Sequence, residues 1–577
     1  MKIPIVNGIP VSPLLSDLTT KTTGSKNSLL LKKRLLFISA LSVVVAMAIS
    51  VVAKALIYLI NLVTNIFFYG SFNFNFHSPA YNQLGAWVII IPAIGGVLVG
   101  LMALYGSKAI RGHGIPEAME QILVNQSKIK PSITFLKPLS SAIAIGTGGP
   151  FGAEGPIIAT GGALGSTLGQ VFKITNNERK ILLAAGATAG MTAIFGTPIA
   201  GIFLAIELLL FEFSPKAILP VALACITGAA GHHLLFESGP VFPMPNVLIP
   251  TNGALAIYSG IGLVIGFLSL GLTKVVYYIE DGFEKLPIHW MWWPAIGGVF
   301  VGLVGYFYPH TLGVGYDNIT HVLSGNITIT LLINLMFFKF LSWAIALGSG
   351  TSGGTLAPLL TIGGAAGALM GSIISVIFPG SGISVPLAGL VGMSAMFAGA
   401  SRAYLTSITF ALEATMQSNA VLPLLGACSA SYLVSFLLME NTIMTEKIAR
   451  RGVFTPDSYR ADPLEKLSVS QVITADGINL NGDTAIKDAE ELLNKRKALF
   501  IKDTDTLALA ASIMAKENVY KLPVISAKHN QVIGVLTYKD ILASYNYSVE
   551  ENELTNLQIS LKRKGLKILI KGRGNNS

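Results

Sequence analysis

Two short segments carry residue types that could do chemistry in otherwise apolar surroundings. Gly152-Ala153-Glu154-Gly155-Pro156 sets a carboxylate among glycines at the head of an apolar stretch. Gly353-Gly354-Thr355-Leu356-Ala357-Pro358 repeats that frame with Leu356 where the first has Glu154. The correspondence is arithmetic. Adding 202 to Gly146, Gly148, Gly152, Pro156, Gly161, Gly162, Gly165 and Gly169 lands on glycine or proline every time. The same offset carries Gly190-Met191 and Phe195 onto Gly392-Met393 and Phe397, and a further shift of four pairs Glu207 with Glu413.

Each segment reads as a glycine loop that opens a helix, with Pro156 or Pro358 in the first turn, where its missing N–H costs nothing. A helix start leaves N–H groups unpaired and carries the positive end of the dipole. Two such starts converging between duplicated halves would hold a small anion without a lysine, which would bind it too tightly to release. Any single glycine pair is better explained by close helix packing. The duplicated loop-and-proline pattern favours the ion site. A phosphate loop is excluded, because neither segment offers Gly-Lys-Ser/Thr. Glu154 breaks the symmetry: a carboxylate aimed at an anion site would compete with the anion until protonated.

These segments sit in a chain of 577 residues, 52% hydrophobic and only 12% charged, with a mean hydropathy of +0.63. Soluble domains carry roughly 25% charged residues. Apolar runs such as Leu35–Ala53, Ala86–Met102, Ile181–Leu210, Leu255–Leu272 and Val421–Met439 are near the length of a bilayer-crossing helix. Lys32-Lys33-Arg34 before the first run, and Lys447, Arg450 and Arg451 after the last, predict cytoplasmic termini and an even number of crossings. The net charge of +10 is spread over tails and helix ends, which fits a membrane surface and argues against nucleic acid. Cys225 and Cys428 lie in apolar segments and read as small buried hydrophobes. His232-His233 is a poor metal pair, since adjacent residues face different sides of a helix, so an intramembrane enzyme is disfavoured. A receptor whose membrane part does not conduct stays open.

Gly112-His113-Gly114-Ile115-Pro116 and the two segments above, in this order, resemble the signatures of the CLC family of chloride channels and proton/chloride antiporters. The resemblance implies an all-α polytopic membrane protein with an inverted internal repeat, its halves at about 35–235 and 250–450. It implies a homodimer with a pore in each subunit, no required cofactor, and residence in the plasma (inner) membrane. Carried over by position, Glu154 is the gating glutamate, and the backbone of Thr355 and Leu356 contacts the anion together with Gly114 and Gly155. Lys137 matches a pore-side lysine. Three departures follow. His113 stands where the family has a serine, and Met444 where it has a tyrosine. Leu208, next to Glu207, occupies the position of a proton-carrying glutamate. The last two lean toward a channel-like or loosely proton-coupled pathway for chloride or a similar small anion, with coupled antiport as the alternative and Glu207 and Lys137 as proton-pathway candidates.

Composition changes near Arg451, so the chain divides into a tail at 1–34, a membrane domain at 35–450 and a small α/β domain at 451–577. Residues 466–546 resemble a CBS module. Its clear unit runs from Asp505-Thr506-Leu507 through Leu522-Pro523-Val524-Ile525 to Gly534–Asp540, with Thr537 and Asp540 where such modules hold a ribose. The first unit, Val469–Phe500, is short, which favours dimer contact over adenine-nucleotide binding. Lys562, Arg563, Lys564, Lys567, Lys571 and Arg573 form a basic membrane-surface tail.

Overall fold

The computed structural model describes residues 25–236, 239–325, 327–453, 455–456, 469–470, 500–527 and 532–545. The start of the N-terminal tail, most of the first CBS-like unit and the basic C-terminal tail lie outside the described residues. Leu35–Tyr459 form one compact unit, and the remaining C-terminal residues belong to a second.

The first unit is helical, and its elements fall into two series in the same order. The first series is α1 (Ser25–Tyr69), α2 (Ile91–Tyr105), α3 (Ile115–Val124), α4 (Ile133–Gly146), α5 (Glu154–Val171), α6 (Asn176–Phe195), α7 (Pro198–Leu204) and α8 (Pro215–Leu235). The second is α9 (Asn252–Glu284), α10 (Trp293–Phe307), α11 (Tyr316–Ser324), α12 (Ile329–Gly348), α13 (Leu356–Ile377), α14 (Val385–Ser401), α15 (Tyr404–Thr415) and α16 (Val421–Leu438). A short α17 (Glu446–Ala449) closes the unit. The repeat therefore covers the whole membrane domain, well beyond the segment where glycines reveal it. Among the described residues, eight helices are long and apolar enough to cross a membrane. α1 is longer than its apolar run predicts and reaches back through Lys32-Lys33-Arg34. Its apolar stretch, Lys32–Tyr69, has 38 residues and measures about 57 Å at the α-helical rise. That exceeds a hydrocarbon core of about 30 Å, so the helix tilts or projects beyond it.

The four-residue slip in the repeat has a physical origin. α6 stops at Phe195, whereas α14 runs past the equivalent Phe397 for one more turn, to Ser401. Everything downstream is displaced by that turn.

Glycines in the helix bodies serve packing. A Cβ on Gly165 of α5 would lie 2.2 Å from the Leu182 carbonyl oxygen of α6, and one on Gly367 of α13 would lie 2.3 Å from that of Ala388 on α14. Backbones this close exclude any side chain.

The halves meet along a two-fold seam. Gly152 and Gly354, equivalent residues, form an antiparallel bridge; each donates its N–H to the other's carbonyl, at 3.4 and 3.1 Å. Gly112 N–H donates to Thr351 O, and its counterpart Gly313 N–H donates to Gly148 O, both at 3.0 Å. Farther along, the Glu207 carboxylate accepts the N–H groups of Leu405 and Thr406 at the start of α15, at 2.8 and 3.0 Å. Glu413 accepts those of Ile199 and Ala200 at the start of α7, at 2.9 and 2.8 Å. Each half thus caps a helix of the other.

In the second unit, β1 (Ile501–Lys502), α18 (Leu507–Glu517), β2 (Lys521–Ile525) and β3 (Val532–Thr537) follow in order. β2 is central, parallel to β1 and antiparallel to β3. Leu522, Val524 and Leu536 are fully buried.

The reciprocal caps give a stability test. Glu413→Ala leaves the N–H groups of Ile199 and Ala200 without their acceptor; Ile199 is half-exposed, so water offsets part of the loss and about 1 kcal/mol is expected. A lower Tm of the purified protein is expected, with a smaller drop for Glu413→Gln, which keeps one carbonyl acceptor.

Candidate functional site

The helix starts of α3, α5 and α13 meet at Gly155. A Cβ there would lie 2.3 Å from the His113 carbonyl oxygen and 2.7 Å from Gly354 Cα, while one on Gly114 would lie 2.2 Å from the Gly155 carbonyl oxygen. Gly114, with φ +96°, also needs the left-handed region that glycine tolerates. Three chains can approach this closely only because no side chain intervenes.

Glu154 opens α5 and is fully buried. Its carboxylate crosses the seam: one oxygen accepts the N–H of Ala357 in the first turn of α13, and the other accepts the Tyr316 hydroxyl at 3.0 Å. The carboxylate occupies the place an anion would take at the α13 terminus. Gly152 makes room for it, since a Cβ there would lie 2.0 Å from Glu154 Oε2.

His113 and Thr355 flank Gly155, and both are buried. Among the described residues, His113 Nδ1 and Thr355 Oγ1 have no hydrogen-bond partner. Buried polar atoms are rarely left unsatisfied, and two beside converging helix starts mark a place for a polar ligand. Leu356, also buried, is the first residue of α13. The α3 start is braced by Glu117, whose Oε2 accepts Gly114 N–H at 2.7 Å and whose Oε1 pairs with Lys447 at 3.1 Å.

The remaining candidates lie outside this convergence. Lys137 is buried, and its Nζ donates to the carbonyls of Ile110 and Gly112 at 2.8 and 2.7 Å, beneath the His113 loop. Met444 is buried in the main apolar core, with its N–H donated to Thr442 Oγ1 at 3.2 Å. Both Glu207 oxygens are committed to α15, and Thr406 Oγ1 adds a third donor at 2.6 Å. Leu208 is buried and apolar. In the second unit, Asp540 Oδ2 accepts both the N–H and the hydroxyl of Thr537 at 2.7 Å, so the pair satisfies itself.

Tyr316 is the residue that sequence reasoning missed. It opens α11, with its ring edge-on to Phe195 at 5.8 Å and tilted against Phe242 at 6.0 Å. The available signal was Gly313-Val314-Gly315-Tyr316, which matches Gly112-His113-Gly114-Ile115 at an offset of 201. Lys339 was missed as well; it lies 202 residues after Lys137 and donates to the carbonyls of Thr311 and Gly313 at 3.0 and 2.7 Å.

Helix starts converging on a carboxylate at a two-fold seam define a helical membrane protein of duplicated type. Residues 94–436 match the voltage gated chloride channel family, and the chain belongs to that family. Residues 486–547 match the CBS domain. An H+/Cl− exchange transporter of Vibrio parahaemolyticus is 30% identical over 351 residues, covering 59% of this chain and 74% of its own. The chloride channel protein CLC-e of Arabidopsis thaliana is 30% identical over 370 residues, 60% of this chain but 51% of its own length. A slow cyanobacterial Cl−/H+ antiporter shares the fold with a TM-score of 0.65 at 22% identity, covering 72% of this chain and 97% of its own.

Two glycine substitutions should separate gate from scaffold. In Gly152→Ala the atoms nearest the new methyl belong to the Glu154 carboxylate, the far end of a side chain, so the protein should fold and show raised anion flux. In Gly155→Ala it meets backbone, so folded yield should fall, read by size-exclusion chromatography.

Proposed function

We propose that this protein moves chloride or a similar small anion through a pore in each subunit of a homodimer, channel-like or loosely proton-coupled, and that protonation of Glu154 is the gate. The observation that carries this reading is the Glu154 carboxylate on Ala357 N–H and Tyr316 Oη. Ionised, it holds the α13 start against the anion. Protonated, it loses its charge and most of its hold, and an anion takes its place at the α13 start. The unpartnered His113 Nδ1 and Thr355 Oγ1 support a further binding position beside Gly155. Helix dipoles and neutral donors give the modest affinity that conduction needs.

The channel-like reading is supported by Leu208, which carries no proton, and by Glu207, whose oxygens serve as a helix cap. Coupled antiport is the second reading, favoured by the relatives that are named exchangers. Both termini are assigned to the cytoplasm of a plasma (inner) membrane, on the basic flanks of the first and last spans. The CBS domain is assigned to dimer contact, with an adenine nucleotide near Thr537 and Asp540 as the alternative.

Chloride efflux from proteoliposomes, recorded with external pH, tests the proposal. Parent flux should rise as pH falls, and Glu154→Gln should give high flux that no longer depends on pH. Chloride flux without proton movement supports the channel-like reading. Proton uptake driven by a chloride gradient and abolished in Glu154→Gln establishes antiport. Unchanged pH dependence in Glu154→Gln removes Glu154 from the gate.

A further inference from the structure

We infer that Lys339 is a positioning residue for the Glu154 gate and acts through Tyr316; the inference rests on the reading of Glu154 as the gate. Lys339 lies on α12 and is fully buried. Its Nζ donates to the carbonyls of Thr311 and Gly313, in the loop that delivers α11. Gly315, the N-cap of α11, has φ +77°, and a Cβ on it would lie 3.1 Å from Lys339 Nζ. The ammonium therefore sits directly against the cap, one residue before Tyr316. From the other side, Gly313 N–H is bonded to Gly148 O, in the connection that leads to Glu154. The loop is held from both directions, and Tyr316 is the part of it that touches the carboxylate.

Two carbonyls could be satisfied by a neutral donor. Burying an ammonium instead is costly, and among the described residues Lys339 forms no salt bridge. The nearby Asp317 accepts the Ser78 hydroxyl at 2.9 Å. Its two hydrogen bonds fix the loop close behind the helix start whose first side chain donates to Glu154. Lys137 holds the matching loop beneath His113 in the same way, so the clamp on Tyr316 is the second copy of a duplicated device, turned to the service of the gate.

Because the held carboxylate competes with the anion, loosening it should lower the chloride concentration for half-maximal flux. Lys339→Met should lower it by about threefold to tenfold, the factor for weakening one hydrogen bond, with Lys339→Arg near the parent. Tyr316→Phe should give a similar shift, and the double variant no more than either single one. In a Glu154→Gln background none of these substitutions should shift it. A merely structural lysine would lower the amount of folded protein or maximal flux in both backgrounds and leave half-saturation unchanged, which overturns the inference. Should Lys339→Met fail to fold, Tyr316→Phe alone decides: an unchanged half-saturation overturns the inference. If Glu154→Gln itself behaves like the parent, the gate reading has failed. If it behaves as expected while Tyr316→Phe and Lys339→Met do not, only the clamp has failed.

Discussion

The reciprocal hydrogen bonds between Gly152 and Gly354 place the two halves of the membrane unit face to face. Equivalent residues that bond to each other must lie on the two-fold relation between the repeats. The residues just beyond them, the starts of α5 and α13, are therefore brought together from opposite directions. The convergence needs bare backbone at the crossing, hence the glycines at 155 and 354, while Gly152 makes room for the Glu154 carboxylate. It also leaves first-turn N–H groups facing a buried space, where water cannot satisfy them. A carboxylate or an anion is the natural partner for such groups, and Glu154 supplies the first.

The same demand shapes the rest of the unit. Wherever the chain breaks its helices inside the apolar interior, a long side chain from another element meets the exposed backbone groups. Lys137 and Lys339 take carbonyls at the turns before α3 and α11. Glu207 and Glu413 take N–H groups at the starts of α15 and α7. These ionisable residues are matched in sign to the backbone groups they face. A buried charge in this protein is therefore not by itself a sign of transport. What distinguishes Glu154 is that its carboxylate lies where the starts of α5 and α13 meet, near His113 Nδ1 and Thr355 Oγ1, which have no hydrogen-bond partner among the described residues.

The repeat, the seam loops and Glu154 were legible in the sequence because glycine and proline record backbone demands at fixed positions. His113, Gly114, Gly155, Thr355 and Leu356 were carried over from the family resemblance, and the structure places the loops that bear them side by side. Glu207 was visible as a buried carboxylate, but its partners are nearly 200 residues away, and no local pattern records such a cap. Lys339 looks like an isolated charge in an apolar helix until Lys137 is paired with it. Tyr316 was hidden because α11 is short and low in apolar content, and because the repeat was traced only where glycines are dense. The length of α1 was underestimated, since apolar composition marks the part suited to lipid and helical propensity carries the helix beyond it.

Duplication accounts for the scaffold, and divergence between equivalent positions accounts for what the site can do. Ala153 and Glu154 of the first half stand where the second has Thr355 and Leu356; His113 and Ile115 stand where it has Val314 and Tyr316. At each pair one half carries a polar side chain and the other an apolar one. The first half contributes the carboxylate and the imidazole, the second the phenol and the hydroxyl. Had both halves kept the carboxylate, two like charges would face each other across the seam and repel. Had neither kept it, the helix starts would hold an anion with no group to displace it. One carboxylate, bonded to donors supplied by the opposite half, gives an anion site that can be closed from within. Under the proposed function, a symmetric fold thereby acquires a gate on one side of its axis.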